Sequence, residues 1–258
     1  MLKNIELSSD DLTKLLLYSS ISCGSEGIIL DAGKNIAYKI FGDFLSNDKV
    51  TSMSDNKFSK IKKLYELDLD SLVKIYSTIS MNGELIGYSM SYDKKDFTFN
   101  DIHYPNEYII FVLKKLKEIL LELARNDIVY GDVHDQNILI NHRKKSVKMC
   151  DIDNMMVAGF PMDLKGSTIN NYIKDRDNMV DSTLDAYMYN ILSFTKVNFP
   201  NRGYVNKKEL LELIKNNIDG IVYEFCVKAK DIDDCKRVKG VCKKMLVPSS
   251  FDGEYVLK

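Results

Sequence analysis

The chain has 258 residues, of which 28% are charged and 45% hydrophobic, and this composition excludes the disordered, collagen-like and disulfide-scaffold classes. With 36 basic and 37 acidic residues the formal net charge is −1, so the chain as a whole has no field that would attract nucleic acid or an anionic membrane. We therefore expect no nucleic-acid partner. One large domain or two smaller lobes would fit this length.

The N-terminal residues and the cysteines predict a cytoplasmic protein without a membrane span. Acidic side chains occur at Asp10 and Asp11, where a signal peptide would be apolar, and no stretch reaches the length of a membrane-spanning helix. The five cysteines are odd in number and form no C-x-x-C pair, which argues against both a disulfide framework and a zinc site. They are Cys23, Cys150, Cys226, Cys235 and Cys242.

From residue 24 to about residue 92, short β-branched and aromatic runs with intervening turn signals predict antiparallel strands and one helix. The helix is expected to begin at Ser54 and Asp55 and to end at Leu67. Asn82-Gly83 is the strongest hairpin signal in the chain. The predicted strands are residues 22–30, 35–41, 72–80 and 84–91, with a turn at residues 31–34 between the first two.

After residue 92 the pattern becomes helical. Residues 106–126 repeat apolar side chains at spacings of three and four, as an amphipathic helix does. No flexible linker separates the two textures, so we expect two lobes of one compact protein, residues 1–92 and 93–258. Further helices are predicted at residues 181–194, 207–217 and 220–246.

Two apolar strands flank a polar loop between residues 128 and 157. Asp132 and Asn137 lie in or just after this loop, and Asp151 ends the next strand. Carboxylate and amide oxygens of this kind can hold magnesium on a phosphate, and one carboxylate can orient a hydroxyl group toward it. The pattern therefore indicates phosphoryl transfer.

These residues resemble the motifs of the protein-kinase-like superfamily, whose catalytic loop reads H-R-D-x-x-x-x-N and whose metal-binding turn reads D-F-G. Here the loop is Tyr130-Gly131-Asp132 with Asn137, and the turn is Asp151-Ile152-Asp153. The resemblance implies an α+β bilobal fold with a small antiparallel N-lobe and a helical C-lobe, and ATP with Mg²⁺ as cofactors. It makes Asp132 the residue that orients the substrate hydroxyl, and Asn137 and Asp151 the magnesium ligands.

Upstream motifs follow in the order that the resemblance implies. Gly24 and Gly27 are similar to an abbreviated glycine-rich loop, whose backbone N–H groups approach phosphates. Ala37-Tyr38-Lys39 resembles the V-A-I-K strand motif, which makes Lys39 the cation over the α- and β-phosphates. The residues expected around the adenine are Ile29, Ala37, Met90, Tyr92, Leu139 and Cys150.

The sequence departs from the protein-kinase pattern in the predicted helix. The position that should hold an acid to pair with the strand lysine is Lys60, and the nearest acids are Asp55 and Glu66. Gly131 replaces the catalytic-loop arginine, which argues against activation through a phosphorylated loop.

Three functions fit these motifs. A serine/threonine protein kinase is favoured by the segment around Asp185, which resembles a protein-kinase helix that braces the catalytic loop. A small-molecule kinase acting on an aminoglycoside, choline-like or sugar hydroxyl is favoured by Gly131-Asp132 and His134. A nucleotide-binding pseudokinase scaffold is favoured by the missing helix acid.

Overall fold

The structure is a computed structural model, and it describes residues 2–24, 26–46, 49–98, 106–130, 135–157 and 160. The chain divides into two compact units. The first contains the residues up to Asp96 together with Lys148–Asp153, and the second contains Phe97–Val147 and the residues from Asn154 onward. Within the described ranges, no helix combines the length and apolar character needed to cross a membrane.

The described residues combine three α-helices with twelve strands, several of them very short. The helices are α1 (Ser9–Tyr18), α2 (Asp55–Leu67) and α3 (Asn106–Arg125). The strands are β1 (Lys3–Glu6), β2 (Ser20–Gly24), β3 (Gly27–Gly33), β4 (Ile36–Asp43), β5 (Lys49–Val50), β6 (Ile75–Met81), β7 (Glu84–Ser91), β8 (Asp96–Thr98), β9 (Ile128–Val129), β10 (Ile138–Asn141), β11 (Ser146–Met149) and β12 (Met156–Val157).

A seven-stranded sheet forms the first unit. Its order is β1-β6-β7-β4-β3-β2, with β5 paired to β4. Neighbouring strands are antiparallel except for β1, which lies parallel to β6. The predicted antiparallel sheet is thus confirmed for this part of the chain, and β4 lies between β3 and β7, near the middle of the sheet.

The hairpin turns explain where the strands end. Asn82 and Gly83 both have positive φ, 54° and 80°, as the predicted two-residue hairpin turn requires. The first predicted turn was displaced: β3 continues to Gly33, and the turn is formed by Lys34 and Asn35 with φ of 53° and 62°. The predicted strand at residues 22–30 was also wrong, because it is divided into β2 and β3 by a hairpin between Gly24 and Gly27.

Helix α2 begins where the sequence predicted. Ser54 is the N-cap, and its Oγ accepts a hydrogen bond of 3.2 Å from the backbone N–H of Lys57. The following strand was predicted to begin at residue 72 but begins at Ile75. Leu72 instead forms an isolated parallel bridge with Met149, the last residue of β11.

Helix α1 was not predicted, although its sequence contains a capping box. Ser8 Oγ accepts from the backbone N–H of Asp11 at 3.1 Å, and the Asp11 carboxylate accepts from the backbone N–H of Ser8 at 3.4 Å. The helix packs on one face of the sheet and contributes Leu12 to a buried apolar cluster. The buried members of that cluster are Leu7, Leu12, Ile28, Leu30, Ile40, Ile79 and Ile86.

The described part of the second unit is built on α3. This helix ends at Arg125, one residue before the predicted end, and contacts β9, which pairs antiparallel with β12. A three-stranded sheet has the order β11-β10-β8. The helices predicted at residues 181–194, 207–217 and 220–246 lie outside the described residues.

Candidate functional site

The candidate site is a cluster of charged side chains centred on Lys39. Side chains alternate between the two faces of a strand, so Lys39 points away from the face that carries the apolar cluster with Ile40. Lys39 is only 5% exposed. Its Nζ donates to Asp153 Oδ1 at 2.6 Å and also to Asp151 Oδ1. The strand lysine identified by sequence is therefore a buried ion-pair partner of two aspartates.

Asp153 is fully buried and accepts hydrogen bonds from three side chains. Its Oδ1 accepts from Lys39 Nζ and from the hydroxyl of Tyr88 at 2.9 Å, and its Oδ2 accepts from Lys57 Nζ at 3.1 Å. These three donors come from β4, β7 and α2. One side chain thus links the middle of the sheet to the helix.

Lys57 brings a second ammonium group into the cluster. It lies in the first turn of α2, where the Ser54 cap fixes the start of the helix. Its Nζ donates to Asp153 and to Glu26 Oε2 at 3.3 Å. The ammonium also lies 4.6 Å from the centre of the Phe41 ring, within range of a cation–π interaction, and Lys39 Nζ lies 5.6 Å from the same ring.

The charges in this cluster stabilise one another. Burial alone would lower the pKa of Lys39, but Asp153 and Asp151 outweigh it and raise that pKa above its usual value. Burial would raise the pKa of Asp153, yet Lys39 and Lys57 hold it well below the ordinary carboxyl range. Asp153 therefore remains a carboxylate and Lys39 remains charged at neutral pH.

At three neighbouring groups, in contrast, burial decides the direction of the pKa shift. It raises the pKa of Asp151 above the usual value, with Lys39 opposing the shift only in part. Burial, reinforced by Asp153, raises the pKa of Tyr88, so its hydroxyl remains a neutral donor. Burial and then Asp151 raise the pKa of Cys150 to about 12, which keeps the thiol protonated and chemically inert at neutral pH.

Three of the residues predicted around the adenine lie on neighbouring strands of the sheet. Ile29 pairs with Lys39 across β3 and β4, and Ala37 pairs with Met90 across β4 and β7. Directly paired residues share a face, so these side chains lie on the same face as Lys39. Ala37 is fully buried and Met90 is 7% exposed.

The remaining predicted adenine residues are placed as follows. The backbone N–H of Tyr92 donates to the carbonyl of Asn35 at 2.9 Å, just after β7 ends. Cys150 directly follows β11 and is partly buried in the first unit. Leu139 is in β10, which belongs to the second unit.

The two glycines of the hairpin have different surroundings. A Cβ at Gly27 would lie 2.2 Å from the carbonyl oxygen of Ile40, so this position needs glycine for the close approach of β3 and β4. The nearest atom to a Cβ at Gly24 would be 4.0 Å away. Strand packing therefore explains the glycine at position 27 without any phosphate. Glu26, which sequence reasoning did not single out, lies beside Gly27 and reaches Lys57.

The predicted magnesium ligands lie in different units. Asn137 is buried at the end of a short 3-10 helix in the second unit, whereas Asp151 belongs to the first. Asp151 has a φ of 56°, and its side chain is 29% exposed. Its carboxylate has the hard oxygen atoms that magnesium prefers, and magnesium is usually held by only one or two carboxylates beside phosphate oxygens. Among the described residues no group of three His, Cys, Asp or Glu side chains could hold a metal ion. Gly131, Asp132, His134 and Asp185 lie outside the described residues.

Helix α2 does not supply an acid to Lys39 in the described part of the chain. The carboxylate partners of Lys39 are Asp151 and Asp153, and neither Asp55 nor Glu66 is among them. The helix presents Lys57 to the cluster instead. Sequence reasoning missed Lys57, Asp153, Tyr88 and Glu26 as members of the site. The Asp-x-Asp spacing at Asp151 was the available signal for Asp153.

Comparison with protein-family models finds none that matches this chain, and none of the curated proteins is significantly similar to it.

Proposed function

We propose that the protein is an ATP- and Mg²⁺-dependent phosphotransferase of the protein-kinase-like type that transfers the γ-phosphoryl group to a serine or threonine hydroxyl. The observation that carries this proposal is the contact between Lys39 and Asp151, which are 112 positions apart. The motifs assign these two residues to the phosphates and to magnesium respectively. Their contact in the first unit supports both assignments.

Each residue of the site would contribute through position and charge. Lys39 would bind the α- and β-phosphates, because its pKa is raised and it stays cationic. Asp151 would be a ligand of Mg²⁺, and Asn137 is the second ligand that the resemblance implies. ATP would supply the phosphoryl group, and Mg²⁺ would neutralise the charge developing on it. Asp132 would accept a hydrogen bond from the acceptor hydroxyl and orient it. Ile29, Ala37 and Met90 would provide apolar contacts for the adenine.

The acceptor class has a second candidate. Gly131-Asp132 and His134 resemble the loop of aminoglycoside and choline kinases, so a small alcohol such as a sugar, an aminoglycoside or a choline-like molecule is the alternative substrate. The segment around Asp185 favours a protein substrate. The two candidates share the phosphate-binding residues and differ only in the hydroxyl that receives the group.

A pseudokinase scaffold that binds nucleotide without turnover is the alternative outside enzymes. The observation that favours it is the helix: α2 offers Lys57 rather than an acid, and Lys39 is held by two aspartates. A lysine that stays bound to both aspartates would be less available to phosphates.

A labelled-phosphate transfer assay tests these proposals. Purified protein would be incubated with γ-labelled ATP, Mg²⁺ and a cell lysate, and the products separated into protein and small-molecule fractions. We expect label in the protein fraction. The transfer rate should fall about 100-fold or more in Lys39→Met and Asp151→Asn, because each substitution removes a charged side chain that would hold the phosphates or their Mg²⁺. The matched controls are Lys94→Met and Asp70→Asn, whose side chains are 73% and 92% exposed.

The outcomes separate the three functions. Label confined to the small-molecule fraction would support the small-molecule kinase. Nucleotide binding without transfer, unchanged in Asp132→Ala, would support the scaffold. Transfer that survives in Lys39→Met and Asp151→Asn would refute the assignment of the site.

A further inference from the structure

Lys39 and Lys57 form a pair of cations that share one buried anion. Each donates to a different oxygen of Asp153, and both ammonium groups lie near the aromatic ring of Phe41. Their side chains are 6% and 14% exposed, so both ammonium groups are largely removed from water. The carboxylates of Asp151, Asp153 and Glu26 already balance the two ammonium groups, so a phosphate would have to replace one of these carboxylates.

Each ammonium has hydrogen-bonding capacity beyond its ion pairs. A lysine has three N–H donors. In the described part of the chain, Lys39 uses two of them on Asp151 and Asp153, and Lys57 uses two on Asp153 and Glu26. Among the described residues, one donor on each lysine is therefore left for an acceptor such as a phosphate oxygen.

The three carboxylates differ in how easily they can exchange for another anion. Asp153 is fully buried and accepts from three donors. Asp151 and Glu26 are 29% and 37% exposed, so either can turn toward water at a smaller desolvation cost. A polyphosphate could thus replace Glu26 at Lys57 while Asp153 continues to hold both lysines.

We propose that Lys57 is a second phosphate-binding cation beside Lys39, and that Asp153 is the positioning residue that holds both lysines toward a polyphosphate. The inference deepens the proposed function and rests on it, since it takes the ligand to be the triphosphate of ATP. Helix α2 then contributes a phosphate ligand rather than an acid. Glu26, next to Gly27 in the hairpin, accepts a hydrogen bond from the Lys57 ammonium group, to which the phosphate would bind.

Calorimetric titration with four probes tests this inference: ATP, ADP, adenosine and inorganic tripolyphosphate. We expect Lys57→Met to weaken ATP and tripolyphosphate binding about tenfold, the value of one charge-assisted hydrogen bond, and to leave adenosine binding unchanged. Lys57→Arg should restore most of the loss, because it retains the charge. Asp153→Asn should weaken the binding of ATP and tripolyphosphate and leave adenosine binding unchanged. The matched control is Lys62→Met, an exposed lysine of the same helix.

The results distinguish failure of the inference from failure of the proposed function. ATP binding that is unchanged in Lys57→Met would overturn the inference and leave the proposed function standing. Equal weakening of ATP and adenosine, with a lower melting temperature, would show that Lys57 only holds the helix, and would also overturn it. Tripolyphosphate binding that depends on Lys57, without adenosine binding or transfer, would support the anion site and refute the ATP-dependent function. A wild-type protein that binds none of the probes would refute both.

Discussion

The two faces of strand β4 are built in opposite ways. On one face Ile40 is fully buried in an apolar cluster with Leu12 of helix α1 and with Ile28 and Leu30 of β3. On the other face Lys39, the preceding residue of the strand, is also buried but among carboxylates. The same strand therefore separates an apolar core from a charged one.

The difference shows how the fold can hold a charged site inside. Burial of the apolar face contributes about 25 cal/mol for each Å² removed from water and needs no specific partner. The charged face is stable only while every charge keeps its partner, because an unpaired buried charge is costly. We expect the apolar face to tolerate small changes and the charged face to tolerate few.

Removing Asp153 should have the largest effect on stability. Asp153→Ala leaves Lys39 and Lys57 without their shared carboxylate, although Asp151 and Glu26 remain. We expect a loss of about 3 kcal/mol in the free energy of unfolding, at the lower end of the range for breaking a buried ion pair. Urea denaturation at pH 7 measures it.

The control for this prediction is Asp70→Ala. Asp70 is 92% exposed and reaches Lys74 at 3.4 Å, so its removal should change stability by less than about 0.5 kcal/mol. Equal effects of the two substitutions would mean that the buried cluster is no more important to stability than a surface ion pair.

A conservative change on the apolar face should have a smaller effect, confined to stability. Ile40→Val removes one buried methyl group and should cost about 1 kcal/mol. Affinity for inorganic tripolyphosphate should stay within twofold of wild type, because the side chain points away from the lysines. An affinity change as large as that in Lys57→Met would show that the two faces are coupled through the strand.

The sequence predicted local features well and distant contacts poorly. The helix after Ser54 and the turn at Asn82-Gly83 depend on residues adjacent in sequence, and both were predicted. Helix α1 could also have been found from its capping box. The contact between Lys39 and Asp153 joins positions 114 apart, and no local pattern determines which buried charges meet. Lys57 was missed because a lysine on a helix usually faces solvent.

The smallest expected effect is a difference in pH dependence between the two aspartates bound to Lys39. Lys39 and Lys57 hold the pKa of Asp153 below its ordinary value against the effect of burial, so Asp153 stabilises the fold above about pH 4 and this contribution is lost as the pH falls further. Burial raises the pKa of Asp151, so its ionised form costs stability at neutral pH, and acidification toward pH 4 relieves that cost. On acidification from pH 7 to about pH 4, the wild type should gain stability, and Asp151→Asn should abolish this gain. On acidification below about pH 4, the wild type should lose stability, and Asp153→Asn should abolish this loss. Urea denaturation of wild type and both variants across this range measures the two slopes. If stability depends on pH in the same way in wild type and in Asp151→Asn, Asp151 has the same pKa in the folded chain as in the unfolded one. The charged face would then contain one carboxylate with a shifted pKa rather than two with pKa values shifted in opposite directions.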